Sequence, residues 1–192
     1  MDVTNRQEKL DRVIGQRREG VMVLQDIHDP HNAAAVWRSI DAFGWQKVYL
    51  IFEQEEVFNP KKMGRESSAS ANKWLDFKVF KSTRECIEEL HREGYGLWAT
   101  VLDREASEIY ESKFEDKKIA IMLGNEHRGL TEEAVKLADR KVYIPMRGMV
   151  QSLNLSVSAA ICLYEVERQR EESDGEFGLS DVEKIDLEKR WR

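Results

Sequence analysis

The sequence predicts an α/β protein whose sheet is mostly parallel and carries helices on both faces. Two observations lead to this fold class. Short apolar segments alternate with helical patterns along most of the 192 residues, and that alternation is typical of parallel strands joined by crossover helices. Several apolar segments are continuous rather than alternating, as expected of strands covered on both faces. A chain of this length can bury one sizeable core.

Six segments are predicted to be strands, because each is short, apolar and bounded by polar or turn-forming residues. Between 53 and 72 the sequence has no clear period, and a loop of that length in a compact domain is more often functional than structural. In chain order, the predicted strands are residues 21–27, 47–52, 76–80, 96–102, 118–123 and 141–146.

The helical patterns between these strands have recognisable ends. Asn32 is predicted to cap a helix that ends at Gly44. Ser82 opens the next helix with a capping box, and Gly94 closes it. Thr131 caps a further helix with an acidic first turn, which complements the helix dipole.

Both ends of the chain are predicted to be helical additions to one domain. We expect residues 1–20 to form an N-terminal helical extension and residues 21–170 to form the domain itself. Residues 171–192 are expected to form a C-terminal helical tail, because a second capping box begins at Ser180.

The composition limits the classes of function. With 41% hydrophobic and 34% charged residues, the sequence is that of a globular protein, and no apolar run is long enough to span a membrane. The first residues are too polar for a secretory signal. Cys86 and Cys162 lie in helical patterns and not at metal-ligand spacing, so we expect two reduced, buried thiols in a cytoplasmic protein.

The net charge of −6 argues against a general nucleic-acid footprint, which is usually basic. A local basic patch is compatible with it, because residues 6–18 hold five basic and two acidic residues. A solvated amphipathic helix has the same pattern. No glycine-rich Rossmann turn or P-loop is present, and the four histidines do not form a metal-ligand pattern, so no metal is expected.

Two loops that follow predicted strands carry most of the candidate chemistry. Residues 124–129 follow one strand and residues 147–154 follow the next, and both contain glycine together with hydrogen-bonding side chains. Ligands of open α/β sheets bind just beyond the carboxyl ends of the strands. We therefore expect the two loops to form halves of one site.

A third candidate region follows the first strand and includes Asn32 and Arg38. If this region has only a structural role, Asn32 caps the helix and Arg38 forms an exposed ion pair with Asp41. Glu126 could similarly be an exposed loop acid near a helix start. If residues 151–156 have only a structural role, they form the polar start of a helix. This interpretation is weaker than for the other two regions, because four hydrogen-bonding side chains are more than helix capping requires.

These three regions, in this order and spacing, resemble the three motifs of the SpoU-type RNA ribose 2′-O-methyltransferases of the SPOUT superfamily. Within that family the chain is most similar to the TrmH branch, the tRNA (guanosine-18) 2′-O-methyltransferases, over about residues 1–170. Three ordered motifs are more specific than any one of them. The residues that carry the resemblance are His31-Asn32 with Arg38, Leu123-Gly124-Asn125-Glu126 with Gly129, and Ile144-Pro145-Met146 with Ser152-Leu153-Asn154-Leu155-Ser156.

The resemblance implies a deep trefoil knot in the C-terminal part of the α/β domain, which is an exception among protein folds. It also implies a homodimer, S-adenosylmethionine (SAM) as the cofactor, and tRNA or another structured RNA as the partner. The matching positions for cofactor binding are Thr100, Gly124, Ile144, Met149 and Leu153. The matching catalytic positions are Asn32, Arg38, Glu126, Ser152 and Asn154.

The reaction that the resemblance implies is methyl transfer to a ribose 2′-hydroxyl, with the D-loop guanosine-18 as the expected target. Holding the hydroxyl in line can supply about 7–11 kcal/mol of the barrier reduction. A base must also accept the proton. The resemblance assigns this role to Arg38 with an RNA phosphate; because a guanidinium is almost always protonated, a phosphate clamp is the simpler role. Ser152 and Asn154 would orient the ribose and the arginine, and Glu126 would fix its loop.

Two other interpretations stay open at this stage. The reaction could act on rRNA or on another tRNA position, because the segment from Glu165 onward holds ten acidic and six basic residues, and phosphate contacts dominate RNA affinity. The chain could also be a non-catalytic RNA-binding relative. The presence of all five catalytic-position residues argues against that alternative.

Overall fold

The computed structural model describes residues 3–62 and 71–192. Within these ranges it contains seven strands in one sheet, and all six strand pairs are parallel. The strand order is β3-β2-β1-β6-β4-β7-β5. The strands are β1 (Arg18–Gln25), β2 (Trp45–Ile51), β3 (Asp76–Phe80), β4 (Gly96–Thr100), β5 (Ser107–Glu108), β6 (Ile119–Leu123) and β7 (Arg140–Tyr143).

Helices cover both faces of the sheet, as predicted. One core includes Met22 and Leu24 of β1 and lies under the long helices α2 and α5. The second includes Val21 and Val23 and lies under α3 and α4, because successive strand side chains point to opposite faces. The helices are α1 (Val3–Gly15), α2 (Pro30–Ala42), α3 (Thr83–Arg92), α4 (Glu132–Leu137), α5 (Leu155–Glu171) and α6 (Asp181–Trp191), with a short 3₁₀ turn at Ala71–Lys73.

Most predicted helix ends are confirmed. Ser82 caps α3, Thr131 caps α4, and Ser180 forms a reciprocal capping box with Glu183 at the start of α6. Gly94 follows α3 with a positive φ of 84°, which glycine adopts without strain. The sequence therefore specifies these boundaries locally.

The predicted cap at Asn32 is wrong. The N-cap of α2 is Asp29, whose side chain accepts from the backbone N–H of His31 at 2.8 Å. Pro30 occupies the first helical position, where its missing N–H costs no hydrogen bond. Asn32 consequently lies inside the first turn, and its side chain is free to serve another purpose.

Several strand boundaries also differ from the prediction. Strand β1 starts at Arg18, and β4 and β7 end at Thr100 and Tyr143, before the predicted ends. The two-residue strand β5 was not predicted, and it extends the sheet by pairing with β7. The shorter strands leave residues 101–106 and 144–154 as loops at the carboxyl edge.

The two chain ends pack together at the side of the sheet. Ile14 of α1 forms a small core with Leu187 and Trp191 of α6. Lys47 of β2 donates to Glu183 at 2.9 Å, so α6 is also held by an ion pair. Nowhere in residues 3–62 and 71–192 is a helix both long and apolar enough to cross a membrane.

Candidate functional site

The loops at the carboxyl ends of β1, β2, β4, β6 and β7 converge on one edge of the sheet. Between the loops after β4, β6 and β7 lies a cavity of about 740 Å³, within the range usual for small-molecule sites. The predicted residues Thr100, Gly124, Ile144 and Leu153 all line it. Met149, also predicted to bind the cofactor, is fully exposed and outside this lining.

A chain of hydrogen bonds joins three of the five predicted catalytic residues. Asn32 Nδ2 donates to Glu126 Oε1 at 2.9 Å, and Asn154 Nδ2 donates to Asn32 Oδ1 at 3.1 Å. The three residues come from α2, the loop after β6 and the cap of α5. Asn32 and Glu126 are more than 90 residues apart in the sequence. Tertiary structure thus brings together three residues that the sequence only suggested.

Each member of this chain is oriented by a second contact. Glu126 Oε2 accepts from the backbone N–H of His28 at 3.1 Å. Asn154 caps α5, and its Oδ1 accepts from the backbone N–H of Ser156 at 2.9 Å. The side-chain amides of Asn32 and Asn154 are therefore fixed in one orientation by their partners.

The loop after β6 owes its shape to Asn125 and Gly129. Asn125 is buried, its Nδ2 donates to the carbonyl of Asp26 at 2.6 Å, and its Oδ1 accepts from the backbone N–H of His127 and of Arg128. Gly129 has a φ of 70° and exchanges two backbone hydrogen bonds with Asn125. These contacts turn the loop so that Glu126 faces α2.

Gly124 is required by a close backbone approach. A Cβ on this residue would lie 2.2–2.4 Å from the backbone of Gly129 and Leu130. No other residue type fits without moving that backbone, so the wall of the cavity depends on a glycine here.

Asp26 forms hydrogen bonds with both the loop after β2 and the loop after β6. It is buried, has a positive φ of 51°, and its Oδ1 accepts from the backbone N–H groups of Glu53, Gln54 and Glu55 at 2.8–3.2 Å. Its carbonyl receives the Asn125 bond described above. One residue in an unfavourable backbone conformation thus orders the loops after β2 and β6.

The other two predicted catalytic residues stand apart from this chain. Ser152 lines the cavity but is exposed. Arg38 is exposed on α2, outside the cavity lining, and makes no ion pair with any residue in the ranges 3–62 and 71–192. The alternative pairing of Arg38 with Asp41 is wrong, because Asp41 binds Arg17 at 2.5 Å.

Sequence reasoning missed a charged cluster at the cavity rim. Glu55 accepts at Oε1 from Arg128 Nη2 at 2.6 Å, and its Oε2 lies 3.1 Å from Nδ1 of His28. The contacts with His28 and Arg128 lower the pKa of Glu55. All three residues follow strands in the sequence, but nothing local indicates that their side chains meet.

A second charged contact braces the opposite wall. Lys141 Nζ donates to Asp103 Oδ2 at 3.1 Å and to Glu105 Oε2 at 2.9 Å. The pKa of Asp103 is lowered by the backbone N–H of Glu105 and by Lys141. Across the described parts of the chain, no group of three or more His, Cys, Asp or Glu residues is placed to hold a metal ion.

The comparison with known families identifies the class to which this fold and site belong. The chain is a member of the SpoU rRNA Methylase family, whose model matches residues 19–164. The matched region contains β1 through most of α5, and hence all the loops of the site.

Individual relatives are more specific. The chain is 35% identical to the tRNA (guanosine(18)-2′-O)-methyltransferase of Thermus thermophilus, over 95% of this chain and 90% of the relative. The crystal structure of the Aquifex aeolicus TrmH/SpoU tRNA modifying enzyme superposes with a TM-score of 0.84 and 28% identity, covering 97% of this chain and 95% of that one. The SpoU methyltransferase AviRb of Streptomyces viridochromogenes, in complex with AdoMet, has a TM-score of 0.69 and 26% identity over 85% of this chain and 65% of AviRb.

Proposed function

We propose that this protein is a SAM-dependent methyltransferase that modifies the ribose 2′-hydroxyl of guanosine-18 in tRNA. The observation that carries the proposal is the hydrogen-bonded chain Asn154–Asn32–Glu126 at the rim of the cavity. Membership of the SpoU family supports the reaction. The names of the Thermus and Aquifex proteins, which cover this chain almost completely, support tRNA as the substrate.

The residues around the cavity fit SAM. Ile144 and Leu153 provide apolar surface, and the loop around Gly124 provides backbone groups beside it. Thr100 donates from Oγ1 to the Met122 carbonyl at 2.8 Å, which fixes the end of β4. When bound, SAM supplies a methyl group on a positively charged sulfonium. Met149, exposed in the present loop, would join the pocket only if residues 147–152 fold over the ligand.

The side chains of the hydrogen-bonded chain would act by positioning. Asn32 and Asn154 are fixed by Glu126 and by the start of α5, and they present a rigid polar rim beside Ser152. This rim would hold the 2′-hydroxyl of a bound ribose in one orientation, and such positioning can supply about 7–11 kcal/mol of the barrier reduction.

Arg38 in this proposal binds an RNA phosphate next to the modified ribose. It is exposed and has no anionic partner within the described residues, so its guanidinium is available to a phosphate. Guanidinium groups suit phosphate oxygens because their donors form a planar fork. The alternative role, proton acceptor with the help of that phosphate, requires the same contact.

We also propose that the protein is a homodimer. The outer side of α5 exposes Val157 and Tyr164, at 45% and 57% of their surface. A second copy that covers this face would remove apolar surface from water and lie close to the start of α5, where Asn154 is located.

The remaining parts of the proposal concern the fold and the location. A trefoil knot in the C-terminal part of the domain is proposed from the resemblance of the three sequence motifs to the SPOUT superfamily. In the structure, α5 follows β7 and packs on α2. Residues 1–20 and 171–192 are proposed as terminal extensions of a domain at 21–170. The RNA substrate makes the cytoplasm the proposed location.

Methyl transfer from labelled SAM to unmodified bulk tRNA and rRNA tests the function, with the modified ribose located by mass spectrometry. The proposal expects label on the tRNA D-loop guanosine. Label in rRNA instead would favour the second candidate, which the rRNA description of the family supports. Absence of label together with absence of SAM binding in calorimetry would favour the third candidate, a non-catalytic RNA-binding relative.

A further inference from the structure

The carboxylate of Glu55 lies between two basic side chains at the cavity rim. Each oxygen of Glu55 has its own partner: Arg128 contacts Oε1 and His28 lies beside Oε2. The His28 and Arg128 side chains are 62% and 50% exposed, whereas Glu55 is 18% exposed. The His127 ring lies edge-on to His28, with the ring centroids 5.9 Å apart. Glu55 is thus seated between two groups that solvent can reach.

This cluster lies directly beside the proposed reaction site. The backbone N–H of His28 donates to Glu126, which in turn accepts from Asn32. Arg128 and Glu126 are both part of the cavity lining. A nucleotide with its ribose at Asn32 would therefore place a neighbouring backbone phosphate within reach of His28 and Arg128.

The Glu55 carboxylate is not needed to hold its own loop. Asp26 Oδ1 already accepts from three successive backbone N–H groups of the loop, including that of Glu55. The neighbouring Glu53 is engaged elsewhere, because its carboxylate accepts from the N–H and the hydroxyl of Thr83 at 2.7 and 2.8 Å. The Glu55 side chain can therefore rotate away while the loop backbone stays in place.

We propose that His28 and Arg128 form a binding site for an RNA phosphodiester, and that Glu55 occupies this site in the RNA-free protein. This inference rests on the proposed function and adds a second phosphate contact to the one proposed for Arg38. A phosphodiester presents two non-bridging oxygens and can replace the two carboxylate oxygens of Glu55 on the same donors. Until it does, Glu55 neutralises Arg128 and lowers the affinity for RNA.

Two substitutions test the proposal because they change RNA affinity in opposite directions. Glu55→Gln removes the competing charge and is expected to tighten binding of unmodified bulk tRNA about two- to fivefold, the range available to an exposed ion pair. Arg128→Ala removes a phosphate donor and is expected to weaken binding about tenfold. It should also reduce the slope of log affinity against log salt by about 0.7–0.9. Fluorescence anisotropy at several salt concentrations measures both quantities.

Matched controls separate this effect from net charge. Glu115→Gln changes the charge equally at a side chain that is 78% exposed and outside the cavity lining, and Arg92→Ala does so for an exposed arginine of α3. Both should bind tRNA as the unmodified sequence does. SAM affinity, measured by calorimetry, should stay within about twofold in Glu55→Gln and in both control variants.

The outcomes distinguish this inference from the function on which it rests. Weaker or unchanged tRNA binding by Glu55→Gln, with methyl transfer intact, overturns the inference alone. Glu55 would then only hold the side chains of His28 and Arg128 in place. An equal gain in the Glu115→Gln control also overturns it, because the effect would then follow from net charge. A protein that binds neither SAM nor RNA before any substitution overturns the proposed function as well.

Discussion

The replacement Gly124→Ala tests how the cavity is built. An alanine Cβ at this position would lie 2.2 Å from the Gly129 carbonyl carbon, 2.3 Å from the Leu130 nitrogen and 2.4 Å from the Gly129 oxygen. All three neighbours are backbone atoms, so no side-chain rotation can relieve the overlap. The Asn125–Gly129 turn must therefore move, and with it the loop that carries Glu126.

The magnitude follows from the cost of overpacking, which reaches about 3 kcal/mol when backbone has to shift. For a chain of this size, that cost lowers Tm by about 6–12 °C. Displacement of the turn should also weaken SAM binding by at least about tenfold, because Gly124 and Gly129 both line the cavity. Differential scanning calorimetry measures the first effect and titration calorimetry the second.

Gly148→Ala is the matched control. A Cβ there has no neighbour within 4 Å, so the same chemical change should leave Tm nearly unaltered. If Gly124→Ala unfolds within 2 °C of the unsubstituted protein, about what 1 kcal/mol produces, and binds SAM equally well, the packing argument for the cavity wall is refuted.

Three further predictions address the site, the acid stability and the assembly. Glu126→Gln should lower kcat about a hundredfold in single-turnover assays, because the amide presents a donor toward either Asn32 or His28 and displaces the rim; an unchanged kcat would exclude the positioning role. Burial alone would raise the pKa of Glu183, but hydrogen bonds from Lys47 and Ser180 outweigh it and bring the pKa to about 2. Because this folded-state pKa is depressed, the stabilisation is present above pH 4.5 and is lost as the pH falls toward 2; acid-unfolding curves of Glu183→Gln should lack this component, and identical curves would contradict it. Tyr164→Glu should convert the proposed dimer to monomer in sedimentation velocity; a dimer that persists in this variant, or a monomer before any substitution, would contradict the proposed interface.

The fold was predictable where the signal is local. Ser82, Thr131 and Ser180 each cap the helix that the sequence assigns to them. The strand β5 was not predictable, because two residues carry no periodicity and only backbone pairing with β7 defines them. The cap of α2 was assigned to Asn32 although Asp29-Pro30 carries the stronger signal, an acid before a proline at the first helical position.

The site was predictable as a set of loops but not as a set of contacts. Sequence order indicated that Asn32, Glu126 and Asn154 follow different strands, and the parallel sheet explains why they meet. Nothing in the sequence specifies that Asp26 adopts a positive φ and orders the loop of Glu55. Such contacts depend on the packing of neighbouring strands, β1 with β2 and β6, and appear only with the tertiary structure.

The most direct test of the account uses two forms of one tRNA. One is a transcript with guanosine at position 18, and the other is identical except for a 2′-O-methyl group already present on that nucleotide. Incubated with labelled SAM, the first should accept about one methyl group per molecule and the second none. Equal labelling of both transcripts would contradict the assignment of the guanosine-18 ribose as the target, and labelling of neither would contradict tRNA methylation.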